Sequence, residues 1–147
     1  MNAHKTVFYE LTQSFERIQK ELLRNFGDIS EISLTKRQEA VMHLMYQDYK
    51  PTVTELAEHF DITKSAVSQT ITKLEEADLL TRSVNEENRR EVYLELGERG
   101  LMLQQEFRKI EETVVEKYFS ELPVEELSQV RDTLYKLERV INEKNSE

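Results

Sequence analysis

Between residues 52 and 96 the spacing of apolar side chains passes from three- and four-residue steps to strict alternation, and no other feature restricts this chain so much. A helix face repeats about every 3.6 residues and a strand face every second residue, so each stretch is committed to one kind of element. Thr52 and Glu55 stand at capping-box spacing, with Leu56, Ala57 and Phe60 as the inner face of the helix they open. Ala57 carries only a methyl group, which lets a second helix cross closely above it. Asp61, Ile62 and Thr63 make the turn: Asp61 tolerates the left-handed backbone of a helix end, and Thr63 caps the next helix. In that helix Val67, Ile71 and Leu74 fall on one narrow arc and face inward, while Ser65, Gln69 and Thr72 project almost oppositely, flanked by Lys64, Ser68 and Lys73. Past Leu79 and Leu80 the pattern alternates, with Val92, Leu94 and Leu96 on one side of a strand and Glu91, Tyr93 and Glu95 on the other. Residues 80–84 supply the partner strand, and the tip formed by Asn85, Glu86, Glu87, Asn88, Arg89 and Arg90 is too polar to pack. Helix, tight turn, helix and charged hairpin in this order read as a winged helix-turn-helix in a mainly α chain.

The outer face of the second helix suits double-stranded DNA. Gln69 matches an adenine edge, the Ser and Thr hydroxyls match several base edges, and Lys64 and Lys73 match phosphate or guanine. Glu76 continues the same outward stripe and would be repelled by phosphate, so the N-terminal half of the helix is expected to enter the groove. The cationic finger of Arg89 and Arg90 is placed to reach the neighbouring minor groove, whose narrow A·T-rich form attracts Arg. Each feature also has a plainer reading, as a solvated helix face and as arginines that balance Glu86, Glu87 and Glu91.

Taken with Leu34 and Thr35 followed by Gln38, with Glu55, Leu56 and Ala57, with Leu79, Leu80, Thr81 and Arg82, and with the stretch from Arg89 to Gly100, these features resemble the MarR family of bacterial transcription regulators over nearly the whole chain. The family's wing typically reads D-P-x-D-R-R and later L-T-x-x-G; here Asn85 and Asn88 replace both aspartates and Gly97 replaces the threonine. The resemblance implies that Arg90 enters the minor groove, helped by Arg89, with the neutral Asn88 in place of the aspartate that orients it. It implies further contacts from Arg82 in the wing and from Lys36, Arg37 and Thr63 to the DNA backbone. It also implies a small aromatic or phenolic effector in a cleft beside the dimer helices, for which Tyr9, Phe15, Tyr46, Tyr49 and Tyr118 are candidates; the plainer reading leaves these rings in the core and interface.

The flanks point to a homodimer. Phe8, Leu11, Phe15, Ile18, Leu22 and Phe26 form one apolar helical stripe, and Leu103, Phe107, Ile110 and Val114 form another. Leu122 and Pro123 interrupt the pattern, which resumes with Leu127, Val130, Leu134, Leu137 and Ile141, Pro123 standing in the first turn. Such long stripes have too little of a small winged helix to pack against and are expected to pack on a second copy, a single-chain bundle being the other reading. A two-fold pair of recognition helices predicts a palindromic operator.

Composition sets the remaining bounds. A chain of 147 residues makes one domain, and three glycines with two prolines suit helices joined by short connections. With no cysteine there is no disulfide and no thiol switch, which excludes the cysteine-based peroxide sensing of one branch of the family. No apolar run approaches the roughly 20 residues of a membrane span, so a cytoplasmic protein without a membrane partner is expected. His4, His43 and His59 are scattered and form no catalytic or metal pattern; no enzyme activity, cofactor or metal is expected. The net charge of −9 is awkward for a DNA binder, and residues 51–100 hold six cations against eleven anions. Beyond about 8 to 10 Å exposed charges are screened, so what matters is whether Lys36, Arg37, Lys64, Lys73, Arg82, Arg89 and Arg90 cluster while Glu55, Glu58, Glu91, Glu95 and Glu98 point elsewhere.

The expected organisation is one domain over residues 1–147, with dimerisation helices in 1–30 and 101–147 and a DNA-binding region in 34–100 that holds a helix-turn-helix at 52–77 and a wing at 80–96. The expected function is a ligand-responsive, sequence-specific transcriptional repressor. The rival is a winged-helix module that binds protein and does not read DNA.

Overall fold

A computed structural model describes residues 2–26 and 33–146. Met1, residues 27–32 and Glu147, which include the ends of the expected 1–30 and 101–147 segments, lie outside the described residues. The elements run α1 (Ala3–Phe26), α2 (Lys36–Met45), α3 (Val53–Phe60), α4 (Lys64–Glu76), β1 (Leu80–Val84), β2 (Val92–Leu96), α5 (Glu98–Lys117), a short 3-10 turn (Phe119–Glu121) and α6 (Val124–Asn145). Two compact units divide the chain at Met1–Phe107 and Arg108–Glu147, so α5 begins in the first and ends in the second. The fold is mainly helical, and α3, α4 and the hairpin form the winged helix-turn-helix that the sequence predicts.

Local chemistry sets the helix ends. Thr52 accepts from the Glu55 backbone N–H at 3.1 Å while the Glu55 carboxylate accepts from the Thr52 N–H at 3.0 Å, a complete capping box at the start of α3. Thr35 and Gln38 build the same device at the start of α2. Asp61 takes the left-handed conformation at φ 51°, and the Ile62 N–H donates to the Ala57 carbonyl, which closes α3 as a Schellman motif. Asp48 and Asp78, each at φ 58°, stand just beyond α2 and α4. Short polar side chains tolerate this backbone at lower cost than other non-glycine residues.

The core of the first unit gathers Val41, Met42 and Met45 of α2, Leu56 and Ala57 of α3, Val67, Ile71 and Leu74 of α4, and Leu79, Leu80 and Leu94 around the hairpin. β1 and β2 are antiparallel, with Leu80 opposite Leu96 and Val84 opposite Val92. Thr52 also bridges to Tyr93, and the Leu94 N–H donates to the Pro51 carbonyl at 2.8 Å, so the entry to α3 is stitched to the wing. At the other side the buried Gln104 of α5 donates to the Tyr46 carbonyl at 3.0 Å and to the Asp48 carboxylate at 3.1 Å, which fastens α5 to the turn after α2.

No residue of α1 is buried, and none of α6 in the second unit is. Phe8, Leu11, Phe15 and Ile18 stay exposed on α1, as do Val130, Leu134, Leu137 and Ile141 on α6. Pro123 stands immediately before α6 at φ −58°, a backbone already suited to helix entry.

Gly100, buried at the start of α5, meets the Leu79 carbonyl oxygen so closely that an added Cβ would overlap it. Gly100→Ala is expected to destabilise the protein by about 1 to 3 kcal/mol, the usual range for overpacking, as a lower urea midpoint with an unchanged slope.

Candidate nucleic-acid interface

Burial decides which side of α4 is presented. Val67, Ile71 and Leu74 are at most 1% exposed, and the Thr63 hydroxyl accepts from the Ala66 N–H at 3.1 Å to cap the helix. Ser65, Gln69 and Thr72 are therefore left exposed on the opposite face, and Ser68 is half-buried beside them. An open groove runs between this face and the start of α2, and it brings Lys36, Arg37, Ser65, Ser68, Gln69, Thr72 and Lys73 together. Thr35, Gln38 and the buried Thr70 complete its lining. Thr35 is absent from the sequence-predicted site; its capping-box spacing from Gln38 is the signal that could have found it. Lys64 and Thr63 are exposed at the first turn of α4.

Within the face the hydroxyls are not equivalent. Thr72 donates to the Ser68 carbonyl at 2.9 Å, so it presents lone pairs but no free hydrogen, and Thr70 is spent in the same way on Ala66. Arg82 on β1 is turned toward α4: its Nε donates to Glu75 at 2.5 Å and its guanidinium reaches the Thr72 hydroxyl at 3.4 Å. Glu76 accepts from Lys73 at 3.5 Å.

The wing tip is closed by asparagines. Asn85 accepts from the Glu87 N–H at 3.0 Å, and Asn88 accepts from the Arg90 backbone N–H at 3.2 Å. Asn88 thus serves the backbone of Arg90 and not its guanidinium, because an amide oxygen two residues upstream closes a local turn. The guanidiniums of Arg89 and Arg90 make no hydrogen bond or ion pair among the described residues, and both residues are exposed. Arg90 and Arg82 line a second groove with Ser68, Glu55, Glu91 and Tyr93. Glu55 and Glu91 therefore share this groove with the cations and do not point elsewhere. The capping box fixes Glu55, and Glu91 follows Arg90 directly and is held by Tyr93 at 3.0 Å and Asn85 at 3.3 Å. The hydrogen bond to Glu91, followed by the charge of that carboxylate, raises the Tyr93 phenol above its ordinary pKa, against a smaller lowering by Asn85. Glu95 is occupied by Lys50 at 2.9 Å.

A separate cavity of about 610 Å³ lies between α2 and the first half of α5. Leu34, Met42, Leu103 and Phe107 give it apolar walls, with Tyr46 and His43 at its polar edge. Tyr46 stacks on Phe107 at 5.6 Å, and His43 meets the same ring edge-on at 5.9 Å. Burial, with the Glu106 charge beside it, raises the Tyr46 phenol above its ordinary pKa. Of the five sequence-predicted aromatics only Tyr46 lines this cavity; His43 and Phe107, which do line it, were assigned to other roles. Tyr9 and Phe15 are exposed on α1, Tyr49 donates to Glu55 at 3.4 Å, and Tyr118 belongs to the second unit. Among the described residues no group of three or more His, Asp or Glu side chains is arranged to hold a metal, and no described helix is long and apolar enough to cross a membrane.

The sequence profile of the MarR family matches residues 34–92, which hold α2, α3, α4, β1 and the start of β2. The chain is similar to the HTH-type transcriptional repressor MdtR of Bacillus subtilis (strain 168), at 28% identity over 123 residues that cover 84% of this chain and 77% of that one. It is similar also to the organic hydroperoxide resistance transcriptional regulator of the same organism, at 25% identity over 117 residues covering 80% and 78%. Among solved structures, Streptococcus pneumoniae FabT in complex with DNA matches with a TM-score of 0.73 across 95% of this chain and 98% of that one. At 18% identity that last match is a likeness of fold.

Proposed function

We propose that the chain is a transcriptional regulator of the MarR family, whose profile its residues 34–92 match, and that it acts in the cytoplasm as a homodimeric, ligand-responsive repressor of a palindromic operator. The observation that carries the reading is the groove that sets Lys36 and Arg37 of α2 beside the exposed Ser65 and Gln69 of α4. Cations at a helix start facing a row of short polar groups provide phosphate anchoring and base reading from one rigid surface.

In this reading Ser65, Ser68 and Gln69 touch base edges, with Thr72 as an acceptor, and Lys36, Arg37, Thr63, Lys64 and Lys73 hold the backbone. Arg90, helped by Arg89, enters the minor groove. The helices of residues 1–30 and 101–147 pair with those of a second copy, which covers the apolar stripes left exposed on α1 and α6. MdtR is named a repressor, and the same sign of regulation is proposed here.

The effector site of this proposal is the cavity between α2 and α5. Its 610 Å³ falls within the roughly 300 to 1,000 Å³ of ordinary ligand pockets. Stacked and edge-on rings around an apolar centre suit a small aromatic or phenolic molecule, with Tyr46 and His43 as polar partners. Such a ligand changes DNA affinity only as far as it prefers one arrangement of the two recognition helices over the other. Lacking cysteine, the chain has no thiol with which to sense a peroxide.

The test is fluorescence anisotropy of labelled DNA from upstream of the protein's own gene at two salt concentrations, with sedimentation to give the mass of the species that binds. Binding by a dimer of the 17.5 kDa chain, weakening steeply with salt, is the expected result. Absence of binding to any DNA would favour the protein-interaction module. Gln69→Ala is expected to relax base preference by roughly 1 to 3 kcal/mol at one position, whereas a loss equal on all sequences would place Gln69 on the backbone. Arg90→Ala is expected to weaken binding and to reduce the salt slope while the sedimenting mass stays the same; an unaltered titration removes the wing from the mechanism.

A further inference from the structure

We propose that Arg82 is a positioning residue for DNA binding and not a DNA ligand: it braces the end of the recognition helix against the wing and keeps the Glu75 carboxylate neutralised. The inference rests on the reading of α4 as the recognition helix. It replaces the direct DNA contact that family resemblance implies for this arginine.

Three connected contacts carry it. Arg82 donates through Nε to Glu75 at 2.5 Å and through its terminal nitrogen to the Thr72 hydroxyl at 3.4 Å, while Thr72 donates onward to the Ser68 carbonyl at 2.9 Å. β1 is thereby joined to the outer side of α4 at two successive turns. The Arg82 and Glu75 side chains are 37% and 34% exposed, so the pair is sheltered compared with the exposed guanidiniums of Arg89 and Arg90. An isolated pair at such exposure contributes little stability, but the rigid guanidinium fork fixes two partners in one geometry.

To grip a phosphate bidentately through the Nε edge that now holds Glu75, Arg82 would have to release that carboxylate. That exchange leaves a bare carboxylate one turn beyond Thr72, on the helix that approaches DNA. Held as it is, the pair carries no net charge, and Arg82 releases no counterion when DNA binds. Its influence on binding runs through the placement of Thr72 and Ser68 and through the silencing of Glu75.

The two roles differ in their salt dependence, because each phosphate contact adds about 0.9 to the slope of log affinity against log salt. Binding of upstream DNA is measured across salt for the full-length wild type, Arg82→Gln and the double variant Glu75→Gln/Arg82→Gln, with a thermal melt of each. Arg82→Gln is expected to bind about tenfold more weakly, as for coupling within one hydrogen-bonded network. The double variant, relieved of the stray carboxylate, is expected to return to within about threefold of wild type with the wild-type slope, following the same network coupling. A double variant as weak as Arg82→Gln, with a slope shallower by about 0.9, makes Arg82 a phosphate ligand and overturns the proposal. A wild type that binds no DNA at any salt overturns the reading of α4 itself, and this inference with it.

Discussion

The burial of Val67, Ile71 and Leu74 fixes the rotation of α4 about its own axis, and the remaining features of the site follow from that angle. Each of these side chains is at most 1% exposed, and full burial of such a group stabilises by about 1.5 to 3 kcal/mol. A turn of about 100°, one residue of helix, would bring core side chains to the surface and polar ones inward. The outer face is therefore presented in one orientation before any partner arrives. The capped N-terminus and the Pro51 to Leu94 hydrogen bond hold the flanking helix and the wing to the same frame.

Electrostatics around this face is a matter of local pairing more than of total charge. The chain carries −9, yet many carboxylates near the face are already engaged: Glu55 in a cap, Glu75 with Arg82, Glu76 with Lys73, Glu91 with Tyr93 and Asn85, and Glu95 with Lys50. Arg89 and Arg90 have guanidiniums without protein partners among the described residues. An incoming polyanion thus meets the cations of Arg89 and Arg90 while Glu75, Glu76 and Glu95 are each held by a cation of the protein, within the roughly 10 Å over which charge is felt at physiological salt.

The apolar stripes of α1 and α6 contrast with this ordered face. Their Phe, Leu, Ile and Val side chains repeat at helical spacing but are left largely in water, with no buried residue in either helix. A single large exposed side chain is ordinary; two long stripes of them are the mark of a surface made for association. The proposed homodimer gives them a partner.

Local devices were legible in the residues themselves. The capping box of Thr52 and Glu55, the left-handed Asp61, the Thr63 cap and the inward arc of Val67, Ile71 and Leu74 each depend on side chains within a turn or two of one another, so spacing alone determined them. What tertiary structure decided was every partnership across elements. Arg82 looked like one more cation of the wing, and only the pairing of β1 with β2 beside α4 turned it onto Glu75 and Thr72. His43 and Phe107 stand 64 positions apart in number and meet at 5.9 Å because α5 returns beside α2, with Gln104 holding the two together. Periodicity states which side of a helix faces inward; it does not state which residue of another element waits there, because that depends on how the buried faces pack.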